Sequence, residues 1–498
     1  MLIPKEVKSI IKKLEEAGFE AYIVGGCVRD ILTKKIPIDW DITTSAKPEQ
    51  IQKIFPRSFY NNRFGTVTAV TGSKNPALKE IQITTYRTEG KYLDKRWPEK
   101  VEFVGRLEDD LSRRDFTINA MAMDAKANIF DFFNGKKDIE NKIIRAVGDA
   151  DQRFSEDALR MMRAIRFASQ LNSLRQAQGK PSEKLQDKPS ALSWQIEKET
   201  LKAIKKHSSA IGLISTERIR DELEKIILSP RPSQGIETLK ETGLLRYIIP
   251  ELELGIGVSQ NRHHIYTIYE HSVLSLKFCP SEKLEVRLAS LFHDIAKPET
   301  KRGAGEDATF YNHDIVGAKV AKKILRRLKF PNEIIEKTSH LIRNHMFFYN
   351  IGEVTEAGVR RLIKRVGAEN LKDLIDLRIA DRLGSGVPKA KPYKLRHLEY
   401  LMAKVSRHPL SVAMLKINGN DIMRLLDIKQ GPIIGALLNA LLAEVLEEPK
   451  LNTKKYLENR AKELAELSVE KLKEKSEKVI KEKKEEVELV EKSRFRVQ

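Results

Sequence analysis

Cysteine is nearly absent: the 498 residues hold two, Cys27 and Cys279. One disulfide is the most they could make, and so few thiols fit a reducing compartment better than a cross-linked secreted scaffold. No run of 18 apolar residues occurs, so no membrane-spanning helix is expected. The first 15 residues are amphipathic and charged and lack the apolar core of an export signal. These absences predict a cytoplasmic chain with no membrane partner. The surplus is positive charge. Ninety Lys and Arg against 70 Asp and Glu leave a formal net charge of +20. Such an excess suits a polyanion such as RNA, and it also serves solubility. The length allows about three or four domains.

The stretch Ala21 to Thr44, AYIVGGCVRDILTKKIPIDWDITT, carries the first chemistry. Tyr22-Ile23-Val24 reads as a buried strand. Gly25-Gly26 ends it with a turn that lets a ligand approach the backbone. Val28 to Thr33 reads as a helix whose free N–H groups favour a phosphate, and Arg29 on its first turn could add a bidentate contact. Asp39-Trp40-Asp41 reads as the start of a strand. Strand alternation then puts Asp39 and Asp41 on one face, about 7 Å apart. Paired carboxylates repel unless cations bridge them, and two-ion sites of this kind drive phosphoryl transfer. The expected site takes a nucleoside triphosphate, with glycines for phosphates and aspartates for Mg²⁺. Either motif alone is weak; the ordered set is sharper.

Elsewhere in residues 1–150, Val7, Ile10, Ile11 and Leu14 fall at helical spacing before Gly18. Phe64 to Val70 and Lys79 to Arg87 read as strands. Residues 87–101 are polar and aperiodic and read as a mobile loop. In LSRRDFTINAMA, Asp109, Asp110 or Ser112 could cap a following helix, while Arg113-Arg114 suit phosphate oxygens and Asp115 or Asn119 a ribose hydroxyl. Lys142 to Val147 reads as a short strand. From Asp151 the pattern turns helical, and Asp157, Arg160, Arg163 and Arg166 form one slowly drifting stripe. Residues 172–193, rich in Gln, Ser, Lys and Pro, read as a disordered insertion, with helices resuming at Trp194. Ser215 reads as an N-cap and Arg218 as a structural partner of the helix that carries the Asp157–Arg166 stripe.

The set GG-x-x-R-D…D-x-D followed by RRDFTINA and EDxxR resembles class II tRNA nucleotidyltransferases and bacterial poly(A) polymerases. The resemblance implies an α+β polymerase-β-like nucleotidyltransferase head followed by a mostly α-helical neck, an HD domain and a tail. It implies that Asp39 and Asp41 hold Mg²⁺ and are catalytic. It also implies that Gly25, Gly26, Arg29, Arg114, Asp115, Asn119, Asp157, Arg160, Arg163 and Arg166 bind nucleotide. Asp157 and Arg160 resemble the acid and guanidinium that read the incoming base, with CTP and ATP as substrates and tRNA as partner. The loop pattern after Arg87 resembles one linked to the switch from C to A addition. One departure stands out: the pattern leads to a third acid at Gln82, and Glu80 is the nearest substitute on the same face.

A third region holds His263, His264, His271, His293-Asp294, His313, His345 and Asp381 in a helical context. Imidazole and carboxylate are ligands for divalent metals, and core packing does not explain six histidines of the chain's ten. The order resembles the HD phosphohydrolases. That likeness implies a first shell of His271, His293, Asp294 and Asp381, with His264, His313 and His345 near it. The ligand types do not choose the metal. Residues 400–466 read as helices resembling the family's tRNA-binding tail, and Lys471 to Lys492 as a solvated helix or frayed tail. The expected division is head 1–150, neck 151–250, HD domain 251–395, tail 396–468 and charged extension 469–498. Poly(A) or A-only addition, or a phosphohydrolase with an RNA-binding head, stay open at this point, as does the oligomeric state.

Overall fold

The computed structural model describes residues 3–61, 65–89, 92–93, 97–98, 101–171, 193–260, 265–406 and 412–497. Most of the insertion (172–192) and the pair His263-His264 therefore lie outside the described residues, and so does Phe64. The chain divides into two compact units: residues 1–346 with 373–390, and residues 347–372 with 391–498.

The first unit opens with α1, Lys5–Glu16, which buries Val7, Ile10, Ile11 and Leu14 as their spacing predicts. Gly18 follows with φ +86°, a conformation glycine takes without strain. Then come β1 (Ala21–Val24), α2 (Gly26–Leu32), β2 (Asp41–Thr44), α3 (Pro48–Ile54), β3 (Ser58–Asn61), β4 (Thr66–Val70) and β5 (Glu80–Thr85). The sheet runs Ile129–Phe130, Ala122–Met123, β1, β2, β5, β4, β3. All its pairs are antiparallel except β2 with β5. Ile23, Ile42, Ile81 and Ile83 fill the core beneath it with α1 and α3.

β2 is shorter than its sequence predicts. Val24 pairs with Asp41, but the next residue on β1, Gly25, turns away at φ +79°. Trp40 and Asp39 thus lose their ladder partner, and Asp39 falls in an exposed bend. Strand alternation therefore does not set the direction of Asp39. The buried Trp40 ring anchors this bend to the core.

Residues 87–101 differ from the predicted loop. Arg87–Glu89 pairs with Val101–Phe103, and Tyr92–Leu93 with Trp97–Pro98, both antiparallel. The capping expectation for 109–112 also fails. These residues lie inside the helix Leu107–Ser112, and only a three-residue turn, Thr117–Asn119, follows. The strand read at 142–147 shortens to Ile143–Ile144, which pairs in parallel with Gln195–Ile196 beyond the insertion. Helix resumes at Lys198, not at Trp194, and Ser193 and Trp194 are both buried.

The helices Ala150–Glu156 and Leu159–Gln170 meet at Asp157, whose backbone is extended. Asp157 thus precedes the stripe carried by Arg160, Arg163 and Arg166. Further helices Ile268–Lys277, Leu284–Phe292, His313–Arg327, Asn332–Asn344 and Leu371–Gly384 carry the His/Asp set in their first or last turns or just beyond their ends.

In the second unit the apolar helix Pro432–Glu447 is the centre. Leu437, Leu441, Leu457, Leu464 and Leu472 form one buried cluster around it. The charged stretch read as solvated is the 27-residue helix Val469–Phe495, and it buries Leu472 and Ser476. Its sparse apolar residues supply a packing edge, so the extension belongs to this core.

Among the described residues, no helix is long and apolar enough to cross a membrane.

Candidate functional site: a carboxylate cavity and a buried histidine–aspartate cluster

The first site lies where β1 gives way to α2. A cavity of about 320 Å³ is lined by Val24, Asp41, Thr66, Gln82, Arg87, Arg113 and Arg114, among others. Gly25 is required here twice over. Its φ is positive, and a Cβ would stand 2.9 Å from Arg114 Nη1 and 3.9 Å from Asp41 Oδ2. The missing side chain leaves the cradle between Arg114 and Asp41 open. Burial raises the Asp41 pKa and the nearby charge of Asp39 raises it further, while Arg114 opposes both. A buried carboxylate whose proton affinity is raised beside a second carboxylate is relieved by a cation, so Asp41 with Asp39 near it fits a metal.

Asp110, read from the sequence only as a possible helix cap, organises the cationic wall. It is fully buried and accepts from Arg113 Nε and Nη2 at 3.0 and 2.9 Å, from Thr43 Oγ1 at 3.2 Å and from the Arg87 amide at 3.4 Å. Arg114 Nη2 lies 3.5 Å from its second oxygen. Burial alone would raise its pKa; the two arginines overcome that and lower it. A carboxylate fixed in this way aims two guanidinium groups into the cavity.

Behind the cavity runs a relay of the remaining predicted residues. Arg29 donates to Asp30 Oδ1 at 3.0 and 2.8 Å and to Asn119 Oδ1 at 2.7 Å, so its fork is engaged within the protein. Asn119 Nδ2 donates to Asp115 Oδ1 at 3.1 Å, and Arg163 binds Asp115 Oδ2 at 2.8 and 2.6 Å. Burial works against the Asp115 charge, but Arg163 prevails and holds the carboxyl at about 2. Arg29, Arg163 and Arg166 all lie over the Phe167 ring, at 5.3, 5.6 and 4.3 Å. Arg166 also pairs with buried Glu222 at 3.2 Å.

The Arg160 amide donates to the Asp157 carbonyl at 3.0 Å, while their side chains take other partners. Asp157 Oδ2 accepts from Arg218 Nη2 at 2.6 Å, the partnership read from the sequence, and Oδ1 accepts from the Leu159 amide. Arg160 is buried, pairs with Glu156 Oε2 at 2.6 Å and donates to the Arg113 carbonyl at 3.0 Å. Ser215 holds the N-cap position without a side-chain cap bond.

The second site is a buried cluster in which Asp294 is shared. On one side, His271 Nε2 lies 3.0 Å from His293 Nε2, 3.2 Å from Asp294 Oδ2 and 3.4 Å from Asp381 Oδ1. On the other, Asp294 Oδ1 lies 3.4 Å from His313 Nε2 and 3.8 Å from His345 Nε2. Two groups of metal-competent atoms result, His271–His293–Asp381 and Asp294–His313–His345. Ligands at right angles around an ion with bonds of ~2.1 Å stand ~3 Å apart, which matches these spacings. His293, His313 and His345 each direct Nδ1 at a backbone carbonyl, of Ser290, Phe310 and Ile342, at 3.0, 2.6 and 2.6 Å. That fixes the ring and leaves Nε2 to face the cluster. His313 Nε2 is buried without a hydrogen bond. Burial lowers the His345 pKa to about 3, with His293 adding to it, whereas the charge of Asp294 outweighs burial and takes His293 to about 10. Crowded imidazoles pulled in opposite directions, with an orphaned Nε2, fit a divalent metal. Lys297 and Arg378, not singled out in the sequence, brace the carboxylates: Lys297 Nζ lies 2.7 Å from Asp294 Oδ2, and Arg378 Nη1 2.7 Å from Asp381 Oδ2. Their i, i+3 spacing from the two aspartates is the signal that could have found them.

Three family profiles match the chain in order. They are a poly A polymerase head domain over residues 21–145, a probable RNA and SrmB-binding site of polymerase A over 194–255, and an HD domain over 267–385. The class they define is a polymerase-type nucleotidyltransferase that also carries an HD domain. A CCA-adding enzyme of Ligilactobacillus salivarius is 35% identical over 473 residues, 94% of this chain and 99% of its own. That of Enterococcus faecalis is 31% identical over 92% of this chain and 95% of its own. The crystal structure of the Bacillus stearothermophilus CCA-adding enzyme in complex with CTP matches with a TM-score of 0.56 at 27% identity, over 92% of this chain and 96% of that one. The chain belongs to the CCA-adding enzyme family.

Proposed function

We propose that the protein adds CMP and then AMP from CTP and ATP to the 3′ end of tRNA without a nucleic-acid template, releasing pyrophosphate. The observation that carries this reading is the open cradle at Gly25, with Asp41 on one side and the Asp110-braced arginines on the other. Asp39 and Asp41 are the residues to hold Mg²⁺. Bound there, the ion would acidify the attacking hydroxyl and neutralise charge on the leaving pyrophosphate. Arg113 and Arg114 orient the triphosphate oxygens. Asp115 and Asn119, held by Arg163 and Arg29, present polar atoms toward the sugar. Asp157 and Arg160 read the base edge by exchanging Arg218 and Glu156 for it. Incubating tRNA that ends at its discriminator base with each labelled NTP separately tests this reading: CMP enters first, and AMP only after CMP.

The His/Asp cluster supports a second activity, hydrolysis of phosphoesters such as 2′,3′-cyclic phosphates or monoesters at RNA ends. Its ligands accept Mn, Fe, Ni, Co, Mg or Zn, and such an ion would turn a bound water into a nucleophile. Functionally we divide the chain into a head (1–150), neck (151–250), HD domain (251–395), tail (396–468) and C-terminal extension (469–498), with tRNA engaged by the tail.

A further inference from the structure

We propose that Arg382 is the anion anchor of the HD cavity, binding the phosphate of a mono- or diester beside the metal ligands; this rests on the phosphoesterase reading above. The cavity encloses about 660 Å³, and its lining includes Asp294, His313, His345 and Asp381. Such a volume suits a small organic ligand. Arg378, Asp381 and Arg382 line it at i, i+3 and i+4 on one face of the helix Leu371–Gly384, and Ser385 just beyond the helix lines it too.

Three cations border this space, and two are engaged. Lys297 Nζ is held between Asp294 Oδ2 and Gln260 Oε1, each at 2.7 Å. Arg378 is held by Asp381 Oδ2 at 2.7 Å. Arg382 makes no ion pair among the described residues, and its Nε is buried without a hydrogen-bond partner. A phosphate oxygen pair supplies both the missing acceptors and the missing negative charge, and the guanidinium fork matches its geometry. Phe310 and the exposed Tyr311 give the same cavity an aromatic wall for the rest of the ester.

The test uses the full chain loaded with Mn²⁺. Inorganic phosphate binding is measured by titration calorimetry for the parent, Arg382→Ala and Arg382→Lys, beside metal content and hydrolysis of bis(p-nitrophenyl) phosphate. Phosphate bound at the head is common to all three. Arg382→Ala is expected to keep the parent's metal content and to lose about ten- to a hundred-fold in HD-site phosphate affinity. Arg382→Lys, which keeps the charge and loses the fork, falls between. Unchanged phosphate affinity in Arg382→Ala overturns the anchor. If Arg382→Ala fails to fold, Arg382→Lys decides, and parent-like affinity there overturns it equally. Failure of the phosphoesterase reading looks different: the parent leaves the diester intact while its phosphate binding still depends on Arg382.

Discussion

Asp41 and Gln82 stand opposite one another in parallel register across β2 and β5. The resemblance to polymerase-type heads leads to an acid at Gln82, and this chain has a neutral amide lining the cavity instead. Glu80, the nearest substitute, pairs with Val70 near the start of β5 and lies outside the cavity lining. Asp39 is also outside that lining, but unlike Glu80 its charge acts on Asp41, so Asp39 and Asp41 are expected to suffice. Gln82→Ala and Glu80→Ala should keep single-turnover CMP incorporation within about threefold of the parent, the scale of one neutral hydrogen bond. Asp41→Ala, which removes a charged ligand, should lower it by about a thousandfold or more. Loss of addition in Gln82→Ala to the level of Asp41→Ala would show that the amide is part of the metal site.

The elements that follow one period were legible in the sequence. Val7, Ile10, Ile11 and Leu14 announce α1, and the paired glycines announce the turn after β1. The ribbon from Arg87 to Phe103 was not, because strands of two and three residues are too short to show alternation. The role of Asp110 in holding Arg113 and Arg114 was missed for another reason. Its partner Thr43 lies 67 residues away, and only the packing of the helix Leu107–Ser112 on the sheet brings it near. The histidines were legible by type, but their division into two groups by the two oxygens of Asp294 depends on helix ends that sequence spacing does not relate.

Base selection is probed by Arg160→Lys. The charge that Glu156 needs remains, while the fork is lost. Competition among all four NTPs should show a relaxed preference for C and A, with a melting temperature close to the parent's. Arg160→Ala should relax the preference as well and also lower the melting temperature, because it leaves Glu156 with Arg153 alone and removes a buried side chain. An unchanged preference in both places base reading elsewhere.

The Asp115–Arg163 pair makes a pH-dependent contribution to stability. The carboxyl titrates at about 2 in the folded chain against an ordinary 3.8, a shift worth about 2 kcal/mol. The sign follows from a lowered folded-state value: the contribution is complete above pH ~4 and is lost as pH falls through ~2. Asp115→Asn should therefore melt below the parent at neutral pH, and the gap should narrow as pH falls from ~4 toward ~2. A gap that stays constant over this range would mean that Asp115 stabilises by packing alone.

Because Asp294 offers one oxygen to each histidine group, the HD domain is expected to bind two divalent ions per chain. His313→Ala or His345→Ala should reduce the stoichiometry to one, and Asp294→Ala should remove both. Elemental analysis after dialysis against Mn²⁺ reads this directly, provided the head is blanked by Asp39→Ala/Asp41→Ala in every sample. One ion in the parent, unaffected by His345→Ala, would restrict the centre to His271, His293, Asp294 and Asp381.

The central claim is tested most directly by reading the 3′ ends that the protein makes. A tRNA ending at its discriminator base is incubated with CTP and ATP together, and the products are measured by intact mass. The predicted result is a single product heavier by two CMP and one AMP, absent for Asp39→Ala/Asp41→Ala. A ladder of added AMP, or AMP addition only to tRNA that already ends in CC, would contradict it.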